Sequence, residues 1–164
     1  MNLLKKLPLL ALFTMLTFSC STDSIDDKAE AITENLITPT TKPIEVDILN
    51  LINDHRLSLG LNVLEDLTIV KSVAHSHTDY MVDNNEVSHD NFYTRSNYLK
   101  ANASAKKVSE NVAYGYSSAE SVVNAWIKSD GHRANIEGDF TNFNVSAEKG
   151  DDGKWYYTNI FMKK

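Results

Sequence analysis

The sequence predicts an α+β domain over residues 44–164. Apolar residues there recur first at helical spacing and then, near the end, at the alternate spacing of strands. The two kinds of segment do not alternate along the chain, so a parallel α/β sheet is not expected. All six glycines and both tryptophans fall in this stretch, which has the size of one ordinary domain and shows no internal repeat.

The elements follow in order. Ile48, Leu51, Ile52, His55 and Leu59 share one helical face, and Gly60 offers the stop. A second helix is expected from about Asp66, with Leu67, Val70, Ala74, His77 and Met81 on its buried stripe and Asn84-Asn85 at its end. A polar loop with Ser88 and His89 leads to a short helix over Tyr93 to Ala101 and an extended run from Val108 to Tyr116. Ser117 and Glu120 match a capping box, in which both side chains satisfy free N–H groups at a helix start. That helix carries Val122, Val123, Trp126 and Ile127 and should stop near Gly131. Phe143, Val145 and Ala147 then alternate before Gly150-Asp151-Asp152-Gly153, and Trp155 to Met162 follows, the pattern of a hairpin.

Residues 1–19 have the order of a secretory signal: Lys5 and Lys6, the apolar run Leu7 to Phe18, and small Ser19 before Cys20. Twelve residues interrupted by Pro8 and Thr14 are too few to span a bilayer, which takes about 20. Cys20 is the only cysteine, so it forms no internal disulfide. Thr17-Phe18-Ser19-Cys20 resembles the lipobox of bacterial lipoproteins, with Thr17 where leucine is usual. The resemblance implies a diacylglycerol on the Cys20 thiol and a membrane as partner through that lipid; a cleaved signal with a chance cysteine is the alternative. The expected location is the cell envelope, as an outer or cell-surface membrane lipoprotein, or free secretion. Residues 20–43 are polar, acidic and contain Pro39 and Pro43, and read as a disordered tether. Loss of residues 1–19 leaves 14 basic and 22 acidic side chains, which excludes a nucleic-acid partner because that needs clustered positive charge.

Five histidines are the candidates for chemistry. His75 and His77, two apart on a helix, point about 200° apart and cannot share one metal. His55 and His77 read as core histidines and His75 as a solvated one. His89 and His132 lie in loops or turns beside small and polar residues, where function concentrates. Spacing alone does not pair them, and two surface histidines is the plainer reading.

Four runs in order change that reading: Ser88-His89, Ser109-Glu110-Asn111-Val112-Ala113, Trp126-Ile127-Lys128-Ser129, and Gly131-His132-Arg133-Ala134-Asn135-Ile136. Together with Ala74 to Met81 and Trp155 to Phe161 they resemble the CAP superfamily of cysteine-rich secretory, antigen 5 and pathogenesis-related proteins (the SCP domain), and its disulfide-free bacterial branch most closely. The resemblance covers about residues 45–162. It implies a three-layer α-β-α sandwich with a shallow cleft holding His89, Glu110, Ser129 and His132. Ser129 stands where animal and plant members commonly carry a second glutamate.

Two neutral imidazoles suit zinc, and a nearby carboxylate can either bind the metal or hold a ring N–H. His89, His132 and Glu110 are therefore the candidate ligands of a divalent metal, the one cofactor expected. Glu110 as a brace for the histidines is the competing reading, and Asn111, Arg133 and Asn135 read as scaffold. The resulting expectation is an extracytoplasmic binding or interaction module with a small-molecule, lipid or protein ligand in the cleft. The alternative is a hydrolase of peptidase type, metal-assisted through His89 and His132. A serine version through Ser129 and His132 lacks the G-x-S-x-G context, and a purely structural envelope role would leave the histidines idle. No catalytic residue is assigned.

Overall fold

The computed structural model describes residues 36–164. The expected signal, the Cys20 lipid site and most of the tether lie outside the described residues. Among those described, no helix is long and apolar enough to cross a membrane.

The order is α1 (Pro43–Ser58), β1 (Glu65–Asp66), α2 (Thr68–Asn84), α3 (Phe92–Ala103), β2 (Lys107–Tyr114), α4 (Ala119–Lys128), α5 (Asp130–Ile136), β3 (Asn142–Lys149) and β4 (Trp155–Lys163). The sheet runs β1-β3-β4-β2, with β1 parallel to β3 and the other pairs antiparallel. The fold is thus α+β, and helices cover both faces of the sheet.

The two faces are written in the alternation of β4. Tyr157 and Phe161 join Phe143, Val145 and Ala147 in a core with Ile48 and Ile52 of α1 and Val122 and Trp126 of α4. Ile160 and Met162 point the other way, onto Val70, Val73 and Ala74 of α2 and Leu99 of α3. The residues between the apolar ones in β3, Asn142, Asn144 and Ser146, are buried as well. Alternation by itself predicts a solvated second face. Here α2 covers it, and Thr78 supplies a hydroxyl to Thr158 Oγ1 at 2.9 Å and to Ala74 O at 2.9 Å.

Several boundaries differ from expectation for local reasons. Pro43 begins α1 rather than ending a tether, because its fixed φ suits the first helical position. Leu36 already packs against the second core, and Thr38 Oγ1 lies 2.6 Å from Ser72 Oγ. Leu59 caps α1 from outside and is exposed, while Leu49 takes its place in the core. Gly60, at φ +73°, turns the chain away. The cap of α4 is shifted by one residue: Ser118 Oγ accepts from Ser121 N, and Ser121 Oγ accepts from Ser118 N, both at 3.2 Å. Gly131 does not stop that helix. The break comes at Ser129, which turns extended, and α5 restarts with Gly131 inside it. Arg133 fastens the joint, donating to Ile127 O at 3.1 Å and to Asp130 Oδ1 at 2.7 Å.

Strand β1 covers only the first two residues of β3. Beyond it, side chains satisfy the open edge: Asn144 Oδ1 accepts from Val145 N at 2.9 Å, Lys71 Nζ donates to Val145 O at 2.8 Å, and Glu45 Oε1 accepts from Ala147 N at 2.8 Å. Glu45 and Lys71 also pair with each other at 2.6 Å, at 0% and 3% side-chain exposure. A buried ion pair thus stands where another strand would lie and blocks edge-to-edge pairing. The opposite edge is treated alike, with Asn135 Nδ2 donating to Glu110 O at 3.2 Å and Trp126 Nε1 to Val112 O at 3.1 Å.

Candidate functional site

Glu110 lies in the middle of β2, in register with Ile160 of β4, and its side chain is 1% exposed. Such a carboxylate needs cationic or N–H partners to stay charged. Arg95 of α3 supplies them as a fork: Nε to Oε2 and Nη2 to Oε1, both at 2.8 Å. Arg95 is itself 4% exposed and is held from behind by Asp90 O, 2.5 Å from Nη1. Burial pushes the Glu110 carboxyl up, but His89 and then Arg95 outweigh it, and the group is held below the usual glutamate range.

His89 approaches the same carboxylate from the loop between α2 and α3, with Nδ1 2.9 Å from Oε1. An ionised carboxylate only accepts, so the proton of neutral His89 sits on Nδ1 and Nε2 carries the lone pair. The ring is 52% exposed, and no described residue hydrogen-bonds Nε2.

His77 belongs to this assembly although its sequence position marks it only as core. Its Nε2 lies 2.8 Å from Ser88 O, the carbonyl just before His89, and 3.9 Å from Glu110 Oε1. Burial first, then the charge of Arg95, lowers its pKa, so it is neutral and donates to that carbonyl. The loop carrying His89 is thereby fixed at its backbone as well as at its ring.

His132 stands in the first turns of α5, and its main chain is tied to β2. Asn111 Nδ2 donates to His132 O at 3.1 Å, and Asn135 Nδ2 reaches Asn111 Oδ1 at 2.8 Å while its own Oδ1 accepts from Ser109 Oγ. Asn111 and Asn135 are scaffold, as expected. Burial, with His89 adding to it, lowers the pKa of His132 and favours the neutral ring.

His89, Ser129 and His132 line one cleft of about 470 Å³, with Val87, Tyr116 and Trp126 among its apolar walls. Both oxygens of Glu110 are bonded, Oε2 to Arg95 and Oε1 to Arg95 and His89. Among the described residues, His89, Glu110 and His132 do not form a group of three ligand atoms within 4.8 Å of one another. The carboxylate stands behind His89 and orients it. No hydrogen bond joins Ser129 Oγ to His132 among the described residues.

Arg95, which the whole assembly depends on, is missed by sequence reasoning. It is one of only three arginines and lies between His89 and Glu110 in the chain. The need of a buried glutamate for a fork-shaped cation is the signal that points to it. Two other histidines are corrected. His55 is no core residue: its Nε2 meets Glu137 Oε1 at 2.9 Å near the surface. His75 is not solvated but 14% exposed, with Asp79 Oδ2 3.3 Å from Nε2 and Glu148 Oε1 3.3 Å from Nδ1.

Residues 49–161 match the Cysteine-rich secretory protein family, CAP. Among curated relatives, the uncharacterized membrane protein YlbC of Bacillus subtilis is 29% identical over 141 residues, which are 84% of this chain and 39% of that protein. The uncharacterized protein YkwD of the same organism is 35% identical over 118 residues, 66% of this chain and 46% of that protein. This chain therefore spans less than half the length of either relative. Among solved structures, an outer surface protein of Borrelia burgdorferi superposes with a TM-score of 0.69 at 24% identity, covering 79% of this chain and 99% of that one. An extracellular SCP-domain protein of Bacillus anthracis gives 0.63 at 26% identity, covering 77% of this chain and 45% of that one.

Proposed function

The chain belongs to the cysteine-rich secretory protein (CAP) family, and we propose that it is an extracytoplasmic binding module whose cleft offers His89 and His132 to a divalent metal of the zinc class. The observation that carries this reading is the Arg95–Glu110–His89 chain of contacts. Metal-binding histidines characteristically give their second ring N–H to a carboxylate, which fixes the tautomer and raises the basicity of the free nitrogen. Glu110 does this for His89 Nδ1. His132, kept neutral by burial and by His89, is the second imidazole donor.

Two imidazoles leave coordination positions for water or for a group of the ligand. When bound, the metal would supply a Lewis-acidic anchor for a polar atom of that ligand. Val87, Tyr116 and Trp126 offer the rest of it an apolar surface. An exported chain held at a membrane by a lipid on Cys20 would present this cleft outside the cytoplasm; the outer surface and extracellular relatives support that location.

Zinc titration of the metal-free full chain tests the reading. The expected result is micromolar binding that involves the cleft and falls by at least about tenfold in the His89→Ala/His132→Ala variant. Binding at the cleft unchanged by that double replacement would remove the metal from it.

A further inference from the structure

We infer that His75, Asp79 and Glu148 form a second divalent-metal site, apart from the cleft, which ties α2 to β3. His75 and Asp79 are one turn apart on α2, and Glu148 is near the end of β3. Each offers one ligand atom, and these atoms all lie within 4.8 Å of one another. The closest separations are 3.3 Å, from His75 Nε2 to Asp79 Oδ2 and from His75 Nδ1 to Glu148 Oε1. One ion takes one ring nitrogen: at Nδ1, Glu148 already stands near the roughly 3.4 Å that separates two donors of a tetrahedral ion, and Asp79, at a half-exposed position, has to turn in from Nε2.

A second observation points the same way. His75 Nδ1 is buried and has no hydrogen-bond partner, although Glu148 lies beside it. An orphaned nitrogen in that place costs free energy unless something fills it. An imidazole with two carboxylates is a nitrogen and oxygen donor set that suits zinc rather than calcium or magnesium.

This site is independent of the cleft, because His77, which faces Glu110, points about 200° around the helix from His75. Its competitor within the chain is Lys42, whose Nζ lies 2.5 Å from Glu148 Oε1. Metal binding has to displace that ammonium. Lys42 is also the residue just before α1. A metal here would therefore act where the N-terminal segment enters the domain, and its role is structural.

The experiment uses the full chain carrying His89→Ala and His132→Ala, so that the cleft contributes nothing. Isothermal titration with zinc should give about one equivalent bound, with a rise in unfolding temperature. Adding Asp79→Asn, at a half-exposed position that tolerates change, should weaken binding at least about tenfold, as should His75→Ala. Lys42→Gln should tighten it. Absence of zinc uptake by the cleft variant, or uptake that neither Asp79→Asn nor His75→Ala weakens, would overturn the site while leaving the cleft reading to its own titration.

Discussion

Replacing Lys71 by methionine is expected to cost the domain about 3–5 kcal/mol, the usual result of leaving one buried charge without its partner. Glu45 is 0% exposed and accepts from Lys71 Nζ at 2.6 Å, from Ala147 N at 2.8 Å and from Lys42 N at 2.6 Å. Methionine removes the ammonium, and it also leaves Val145 O on the edge of β3 without its donor. Burial already pulls Lys71 below the usual lysine range, with Glu45 holding it up, so the two charges stabilise each other. The combined Glu45→Gln/Lys71→Met variant should recover much of the loss, because it contains no unpaired charge and glutamine still offers an oxygen to Ala147. Urea unfolding of the two variants separates these contributions. A loss below about 1 kcal/mol for Lys71→Met would mean that the pair does not hold the edge.

Glu110→Gln should be about as costly, at about 3–5 kcal/mol, since it strands the buried guanidinium of Arg95. Unlike the edge variant, it should also weaken zinc binding at the cleft about 10–100-fold, because His89 loses the acceptor that fixes its tautomer. The acid dependence has a definite sign. The folded pKa of Glu110 lies below its unfolded value. Its stabilising contribution is complete above the unfolded value, about 4.3, and fades as pH falls through the folded value. The gap between wild type and Glu110→Gln, measured by urea unfolding, should therefore be constant near neutrality and narrow below about pH 4. A gap that widens on acidification would contradict the assignment of Glu110 as a charged, paired carboxylate.

The elements themselves were legible because burial imposes period. Val70, Ala74, His77 and Met81 mark α2, and Phe143, Val145 and Ala147 mark β3, whatever lies around them. What period does not encode is what covers the second face. Asn142, Asn144 and Ser146 look like a solvated face and are buried beneath α2 instead. Charge misleads for the same reason: Glu45, Lys71, Arg95 and Glu110 look like surface residues, and each is buried because its partner comes from a distant segment. The motifs around His89 and His132 could mark two ends of a cleft, but the division of labour between them depends on Arg95, which no local pattern announces. Arg95 bonds both oxygens of Glu110, and the carboxylate in turn braces His89.

That division of labour is open to direct observation in the histidine side chains. In a ¹⁵N-labelled chain, the account predicts that the neutral ring of His89 carries its proton on Nδ1 and not on Nε2, and that zinc shifts Nε2 of His89 together with a ring nitrogen of His132. A neutral His89 ring with its proton on Nε2, or zinc that moves neither ring, would contradict it.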